Sequence, residues 1–211
     1  YADNGTIRRG VKLTHNKSNR YRRTQQELRY LQHCQAEIRK RQHIELANRL
    51  LALGDCFYVE DMAWPSLTHR AKETAISEKT GRIKRKKRFG KSVANKAPAT
   101  LIGILEQKCN SLGLPGVMKV PTSLRASQYN HQSGEYTSKP LSQRWNDMPD
   151  GERIQRDLYS AFLLQHYDPQ AGNFNSALLQ QDYPQFVQYH HRAIQRLSTA
   201  PKTLSSMGIQ R

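Results

Sequence analysis

Residues 45–61 read ELANRLLALGDCFYVED and indicate how the chain begins to fold. Leucines at helical spacing run up to Leu53, and Gly54 follows as a helix stop. Residues 56–59 are then a short apolar run that ends at an acid, Glu60. Because short apolar runs bounded by turn signals favour strands, this stretch predicts a long helix followed by a strand.

The helix predicted by this pattern extends upstream to about residue 18, while residues 1–17 predict a loop or short hairpin. Thr24 and Glu27 have the spacing of a capping box near the helix start. Basic side chains cover the predicted helix, and Arg20, Arg22 and Arg23 open the series. We therefore expect residues 1–53 to form a basic helical arm.

A second helix and strand are predicted further along the chain. Pro98 suits the first position of a helix, and Gly113 is placed to end it. Residues 117–120 form a second apolar run, while residues 61–96 are polar and predict a solvated loop. Helix, strand, basic loop, helix and strand is the order of an α/β domain in which helices cover a sheet.

The net charge of +17 indicates a polyanionic partner. Residues 1–96 carry 23 Lys and Arg against 9 acids, whereas residues 97–211 carry 11 against 8. The densest run is RIKRKKRFGK at 82–91, in which seven of ten residues are cationic. Its charged members are Arg82, Lys84, Arg85, Lys86, Lys87, Arg88 and Lys91. Together with the three arginines of the helical arm, these residues are the predicted nucleic-acid contacts.

Composition also limits the environment of the protein. No apolar stretch approaches the 18 residues of a membrane span, so no membrane partner is expected. Three cysteines without a C-x-x-C spacing predict reduced thiols and a cytoplasmic setting rather than a disulfide framework.

Four stretches in a fixed order point to a family. They are ELANRLLALGDCFYVED at 45–61, FGKSVANKAP at 89–98, KPLSQRW at 139–145 and QRDLYSAFL at 155–163. Together they resemble the C-terminal half of the TnpB or OrfB-type transposases, which are RNA-guided DNA nucleases of insertion sequences and kin of type V CRISPR effectors. The resemblance covers about residues 5–165. It implies a partial RNase H-like, RuvC-like α/β domain with a long basic helical arm, and a prokaryotic, nucleoid-associated protein that binds DNA and guide RNA.

In that family three carboxylates bind Mg²⁺ for phosphodiester cleavage. The resemblance matches Glu60 to the second, at a strand end, and Asp157 to the third, on a helix. The first, the Asp of an Asp-x-Gly strand, has no counterpart in this sequence. The resemblance places Asp3 well after that strand, and Asp55 precedes the strand that it would have to follow. Because two hard ions need several converging carboxylates, we expect Glu60 and Asp157 alone to bind Mg²⁺ weakly. Because the first motif is missing, the chain resembles a fragment that begins downstream of it.

The family also carries a four-cysteine zinc ribbon between the second strand and the last helix. Here Asn130, Ser133, Met148 and Asp150 stand at the cysteine positions, while two turn glycines remain. Tetrahedral zinc needs thiolates or imidazoles, so zinc is not expected, and His131 is interpreted as a loop histidine. The insertion is therefore interpreted as a degenerate ribbon.

The resemblance divides the chain into five segments: the arm at 1–53, a strand-loop-helix-strand core at 54–121, the degenerate ribbon at 122–154, a helix at 155–166 and a tail at 167–211. In the tail, Phe186, Tyr189, Ala193 and Leu197 predict an amphipathic helix with a structural role.

Three functional hypotheses remain open on the sequence. The chain is part of a metal-dependent nuclease, a nuclease-dead derivative that binds RNA or DNA, or an inert transposase remnant. An in-frame Asp-x-Gly strand upstream of Tyr1 would favour the first, and its absence would favour the second.

Overall fold

The computed structural model describes residues 16–68, 73–78, 81–83, 90–140, 142–200 and 207–209. They form a mixed α/β structure with three two-stranded sheets. The helices are α1 (Asn19–Leu51), α2 (Trp64–Thr68), α3 (Gly90–Lys96), α4 (Pro98–Leu112), α5 (Arg156–Gln165) and α6 (Ser176–Ser198). The strands are β1 (Cys56–Glu60), β2 (Gly116–Val120), β3 (Trp145–Asp147), β4 (Arg153–Gln155), β5 (Tyr167–Asp168) and β6 (Asn173–Phe174).

The long predicted helix is confirmed, but its predicted cap is wrong. Ser18 caps α1, because its Oγ accepts a hydrogen bond of 3.2 Å from the backbone N–H of Tyr21. Thr24 therefore lies inside the helix rather than at its start. Serine at this position satisfies one of the free N–H groups of the first turn, which makes the later capping box unnecessary. Of the predicted loop or short hairpin at residues 1–17, residues 1–15 lie outside the described residues.

The predicted strand, helix and second strand are confirmed as a β1-α4-β2 unit. β1 and β2 are parallel, with Cys56 opposite Gly116 and Glu60 opposite Val120. Parallel neighbours need a crossover connection, and α4 provides it while packing against β2 and α1. α4 begins at Pro98 and ends at Gly113, whose φ of +65° suits glycine. Both ends of α4 are therefore set by short-range signals.

The predicted loop at 61–96 contains two short helices, α2 and α3, which pack against each other. Arg39 of α1 donates hydrogen bonds of 3.1 and 3.3 Å to the carbonyl oxygens of Ala94 and Asn95. A cation at carbonyls of a helix end is favourable, and this contact fixes α3 on the arm. The prediction of an uninterrupted loop is wrong in these two places.

After β2 the chain forms the ribbon-like segment and then α5. β3 and β4 pair as an antiparallel hairpin, and β4 leads directly into α5. α5 packs against β1 and α6, so it lies between the β1-β2 unit and the tail. Asp157 stands in the first turn of α5, as predicted.

The tail forms a short hairpin, β5-β6, and the predicted amphipathic helix, α6. Its buried face agrees with the prediction except at Tyr189, since Phe186, Ala193 and Leu197 are partly buried. Leu179, Tyr183 and His190 are buried, whereas Tyr189 is exposed. The polar side chain of His190 faces inward because it accepts a hydrogen bond from the backbone at the start of α5.

Two hydrophobic clusters hold these elements. The smaller consists of Ala47, Leu105 and Cys109, between α1 and α4, with partly buried neighbours around them. The larger surrounds α5 and α6. Its buried members are Ala126, Met148, Ile154, Tyr159, Phe162, Leu163, Phe174, Leu179 and Tyr183. Cys34, Cys56 and Cys109 are free thiols. Within the described ranges, none of the helices combines the length and apolar character needed to cross a membrane.

Candidate carboxylate pocket

Glu60 and Asp157 line the same pocket, although nearly one hundred residues separate them in the sequence. Glu60 is the last residue of β1, and Asp157 is in the first turn of α5, which packs on that strand. A strand end and a helix start are rigid supports for short acidic side chains. The fold thus brings together the two carboxylates that the sequence analysis singled out.

The pocket has a volume of about 500 Å³ and mostly apolar walls. Trp64 lies on one side and Leu164 of α5 on another, while Ser127 and Ser160 are its uncharged polar side chains. The remaining lining residues are Val59, Met62, Pro98, Leu101, Ile102 and Ala161. The pocket is open to solvent, so water screens charge between the two acids despite the apolar walls.

Each carboxylate oxygen of Asp157 has a neighbouring hydrogen-bond donor. The Nε of Arg156 lies 3.4 Å from its Oδ1, and the Nε2 of Gln155 donates to its Oδ2 at 3.3 Å. Arg156 is itself buried and donates from Nη1 to the carbonyl oxygen of Gln143 at 3.0 Å. These donors fix the carboxylate from one side, while 48% of the side chain stays exposed.

The carboxylate pair suits one hydrated divalent ion better than two bare ions. Mg²⁺ retains several waters and binds through one or two carboxylates, so Glu60 and Asp157 offer the right donor chemistry for a single ion. A two-ion clamp requires more carboxylates. Within the described residues, no group of three or more His, Cys, Asp or Glu side chains is arranged to hold a metal. The guanidinium of Arg156 also competes for Asp157.

The predicted nucleic-acid contacts are only partly visible. Arg20, Arg22 and Arg23 are exposed on the first turns of α1, and Arg82 is exposed as well. Lys84, Arg85, Lys86, Lys87 and Arg88 lie outside the described residues. Lys91 belongs to α3. The described arginines are thus accessible to a polyanion.

The positions matched to zinc ligands have other roles. Met148 is in the larger hydrophobic cluster, and Asn130 and Ser133 accept backbone hydrogen bonds within their own turn. Asp150 accepts from Nε2 of Gln132 at 2.8 Å, which links the two turns that the family joins through zinc. Burial alone would raise the pKa of Asp150, but hydrogen bonds from Gln132 and the Glu152 N–H outweigh it and lower the pKa.

His131 lies in a turn, as predicted for a loop histidine, but its side chain is buried. Its backbone N–H donates to the hydroxyl oxygen of Tyr159 at 3.0 Å, and its Nδ1 lies 2.8 Å from the same oxygen. Burial lowers the pKa of His131 and raises that of Tyr159 to about 12. Both groups therefore stay neutral near pH 7 and connect the ribbon-like segment to α5.

Sequence reasoning did not assign Gln155 or His190 to the site. Gln155 is fully buried and caps α5, since its Oε1 accepts from the N–H of Leu158 at 2.8 Å. Glutamine is not a favoured N-cap residue, so capping preferences could not identify Gln155 from the sequence. Its position two residues before Asp157 was the only sequence signal. Trp64 follows Glu60 closely in sequence and lines the same pocket. His190 gave no signal beyond its helical spacing.

Comparison with known proteins adds no further assignment. No protein-family model, no curated protein and no solved structure matches this chain significantly.

Proposed function

We propose that the chain is the C-terminal, RuvC-like part of a TnpB-type RNA-guided DNA nuclease, with an RNase H-like core in its complete form. Glu60 and Asp157 are two of its metal-binding carboxylates. The observation that carries this proposal is their convergence on one pocket from β1 and α5. A strand-end Glu, a parallel neighbouring strand and an Asp on a later helix follow the order that the resemblance implies.

The distribution of charge supports the nucleic-acid partners. The basic residues are concentrated before residue 97, and the described arginines at the start of α1 project into solvent. Salt-dependent release of counterions from phosphates is the expected source of affinity. A bound divalent ion would supply electrostatic stabilisation to a phosphodiester at the carboxylate pair. DNA and guide RNA are the proposed ligands of this basic surface.

A nuclease-dead binding protein is the second candidate. The Arg156–Asp157 ion pair favours it, because a guanidinium already occupies the carboxylate that a metal would use. Both candidates bind nucleic acid, but only the first requires an ion at Glu60 and Asp157. Metal binding therefore separates the two candidates.

The first experiment measures where Mn²⁺ binds. Paramagnetic broadening of assigned amide signals should centre on Glu60 and Asp157, and Mg²⁺ should compete it away. Glu60→Gln and Asp157→Asn should each abolish the broadening. Asp147→Asn is the matched control, because Asp147 is an exposed acid on β3 outside the pocket. If the broadening persists in both pocket variants, Glu60 and Asp157 do not hold the ion. Only the nuclease-dead nucleic-acid-binding candidate then remains.

The second experiment compares charge removal in two regions. Arg20, Arg22 and Arg23 replaced by Ala should weaken RNA binding and lower its log-log salt slope by about two units, if each contacts one phosphate. The control removes the same charge from exposed arginines elsewhere, Arg153, Arg192 and Arg196. Equal effects of the two variants would mean that the basic half makes no localised phosphate contacts.

The cluster at 82–88 extends this test. Replacing its six cations by Ala should reduce the slope with single-stranded RNA by about four units, on the same assumption. An unchanged slope would assign the cluster to solubility alone.

A further inference from the structure

Gln155 connects the tail to the candidate catalytic carboxylate. It has no exposed surface, and its side-chain amide bonds in three directions. The Oε1 accepts from the N–H of Leu158, while Nε2 donates to Asp157 Oδ2 at 3.3 Å and to the carbonyl oxygen of Met207 at 3.2 Å. Because the Leu158 N–H requires an acceptor, the amide orientation is set, and both Nε2 hydrogens point at oxygens.

The backbone of Gln155 is held from a second direction. Its N–H donates to Nε2 of His190 at 3.0 Å, and His190 is only 3% exposed on α6. Burial, with His191 nearby, lowers the pKa of His190, so the ring is neutral and able to accept this bond. α6 thereby fixes the residue that caps α5.

The segment 207–209 is itself anchored. The indole Nε1 of Trp145 donates to the carbonyl oxygen of Gly208 at 3.0 Å, and Ile209 is 3% exposed. A Cβ at Gly208 would lie 2.7 Å from the Cβ of Arg144, which real Cβ atoms do not approach so closely. Glycine is therefore needed for the segment to reach Gln155.

We propose that His190 and residues 207–209 are positioning elements for Asp157, acting through Gln155. These residues lie beyond residue 165, outside the region that resembles the family. The proposed positioning is therefore not a feature that the resemblance implies. The positioning is a structural claim, while its consequence for metal binding rests on the proposed function. Partners that orient a metal ligand commonly change metal affinity by about 10- to 100-fold when they are lost.

The first test is Gly208→Ala, which displaces the segment without altering Gln155 or Asp157. Gly172→Ala is the matched control: its φ of +64° imposes similar backbone strain, but nothing lies within 4 Å of the added Cβ. Three-bond couplings should report one χ1 rotamer for Asp157 in the wild type and in Gly172→Ala. In Gly208→Ala they should report averaging over staggered rotamers.

His190 provides an independent pair of variants. His190→Leu removes the acceptor for the Gln155 N–H, while His190→Gln supplies an amide oxygen in its place. We expect rotamer averaging at Asp157 in the leucine variant and rescue in the glutamine variant. This comparison keeps the proposal testable if Gly208→Ala fails to fold.

Mn²⁺ affinity is the second readout. It should fall about 10-fold in Gly208→Ala and His190→Leu and stay at the wild-type value in Gly172→Ala and His190→Gln. A single Asp157 rotamer in both disrupted variants would overturn the positioning role. If wild-type protein binds no Mn²⁺ at this pocket, the proposed metal site fails, while the couplings still decide whether the tail positions Asp157.

Discussion

The two clusters of the described chain differ in size and in chemistry. Around α1 and α4, three small or medium side chains are buried, whereas around α5 and α6 nine are, and four of those are Tyr or Phe rings with several more rings packed nearby. Phe162 lies near the rings of five residues, His131, Tyr159, His166, Tyr183 and Phe186. Aromatic packing thus joins α5 and α6 to the ribbon-like segment.

Positive charge and hydrophobic packing are concentrated in different parts of the chain. The more basic first half contains the smaller cluster, and within the described residues β1 has a strand partner, β2, on one edge alone. Charged side chains resist burial, so a surface rich in arginine is stabilised by solvent or by a polyanion rather than by a large core. One region is therefore the better packed of the two, and the other carries most of the excess positive charge.

The largest expected effect tests this difference in packing. Phe162→Ala should reduce the free energy of unfolding by about 3–5 kcal/mol, because it removes the central ring of the larger cluster. Leu105→Ala, in the smaller cluster, should cost less, about 2–3 kcal/mol, because partly buried neighbours can close over the cavity. Urea denaturation of both variants measures these values. A greater loss for Leu105→Ala would reverse the ranking of the two regions.

A smaller effect is expected at the link between His131 and α5. Tyr159→Phe leaves the His131 N–H and Nδ1 without their partner and should cost about 1–3 kcal/mol. Tyr136→Phe is the control, because Tyr136 is 49% exposed and has no side-chain hydrogen bond among those described. Equal melting temperatures for the two variants would show that the buried hydroxyl contributes nothing to stability.

How well the sequence predicted these features depends on the range of the signals. Pro98, Gly113 and the apolar run ending at Glu60 act on their immediate neighbours, and the corresponding bounds of α4 and β1 are confirmed. Asp157 is likewise in the first turn of α5, as its local pattern indicated. The short helices α2 and α3 were missed because polar residues hide their contacts with each other and with Arg39.

The candidate site was less accessible to sequence reasoning. That Glu60 and Asp157 converge was implied by the resemblance, since no local pattern relates residues so far apart. Gln155 could not be found, because its role depends on His190 and Met207 from separate segments. The burial of His131 was not predicted for a similar reason: polar neighbours in its turn conceal that the ring packs against Tyr183 and Tyr159.

Acid sensitivity should originate in the better-packed region. Burial lowers the pKa of His131 below its usual value of about 6.5, with Asp150 opposing and His166 adding to the shift. Its stabilising effect is complete above the unfolded pKa and is lost as the pH falls toward the folded pKa. The loss is at most about 1.4 kcal/mol per pH unit.

The measurement compares stability at pH 7.5 and 5.5 for wild type and His131→Gln. The variant should be less stable at pH 7.5 but should lose less on acidification, because one buried neutral histidine is gone. His190 is also buried with a lowered pKa, so part of the sensitivity should remain. An identical pH dependence for both proteins would remove His131 as a source.

The smallest expected effect is that of a metal chelator on the ribbon-like segment. The segment is fastened by the Gln132–Asp150 hydrogen bond, by Met148 in the hydrophobic cluster and by the Tyr159 hydroxyl on His131. None of these contacts requires zinc, and the side chains at the four matched positions include no thiolate or imidazole. Excess chelator should therefore leave the melting temperature unchanged, and elemental analysis should find less than one zinc per chain. Stoichiometric zinc, with a lower melting temperature on its removal, would mean that this region depends on a metal rather than on its own packing.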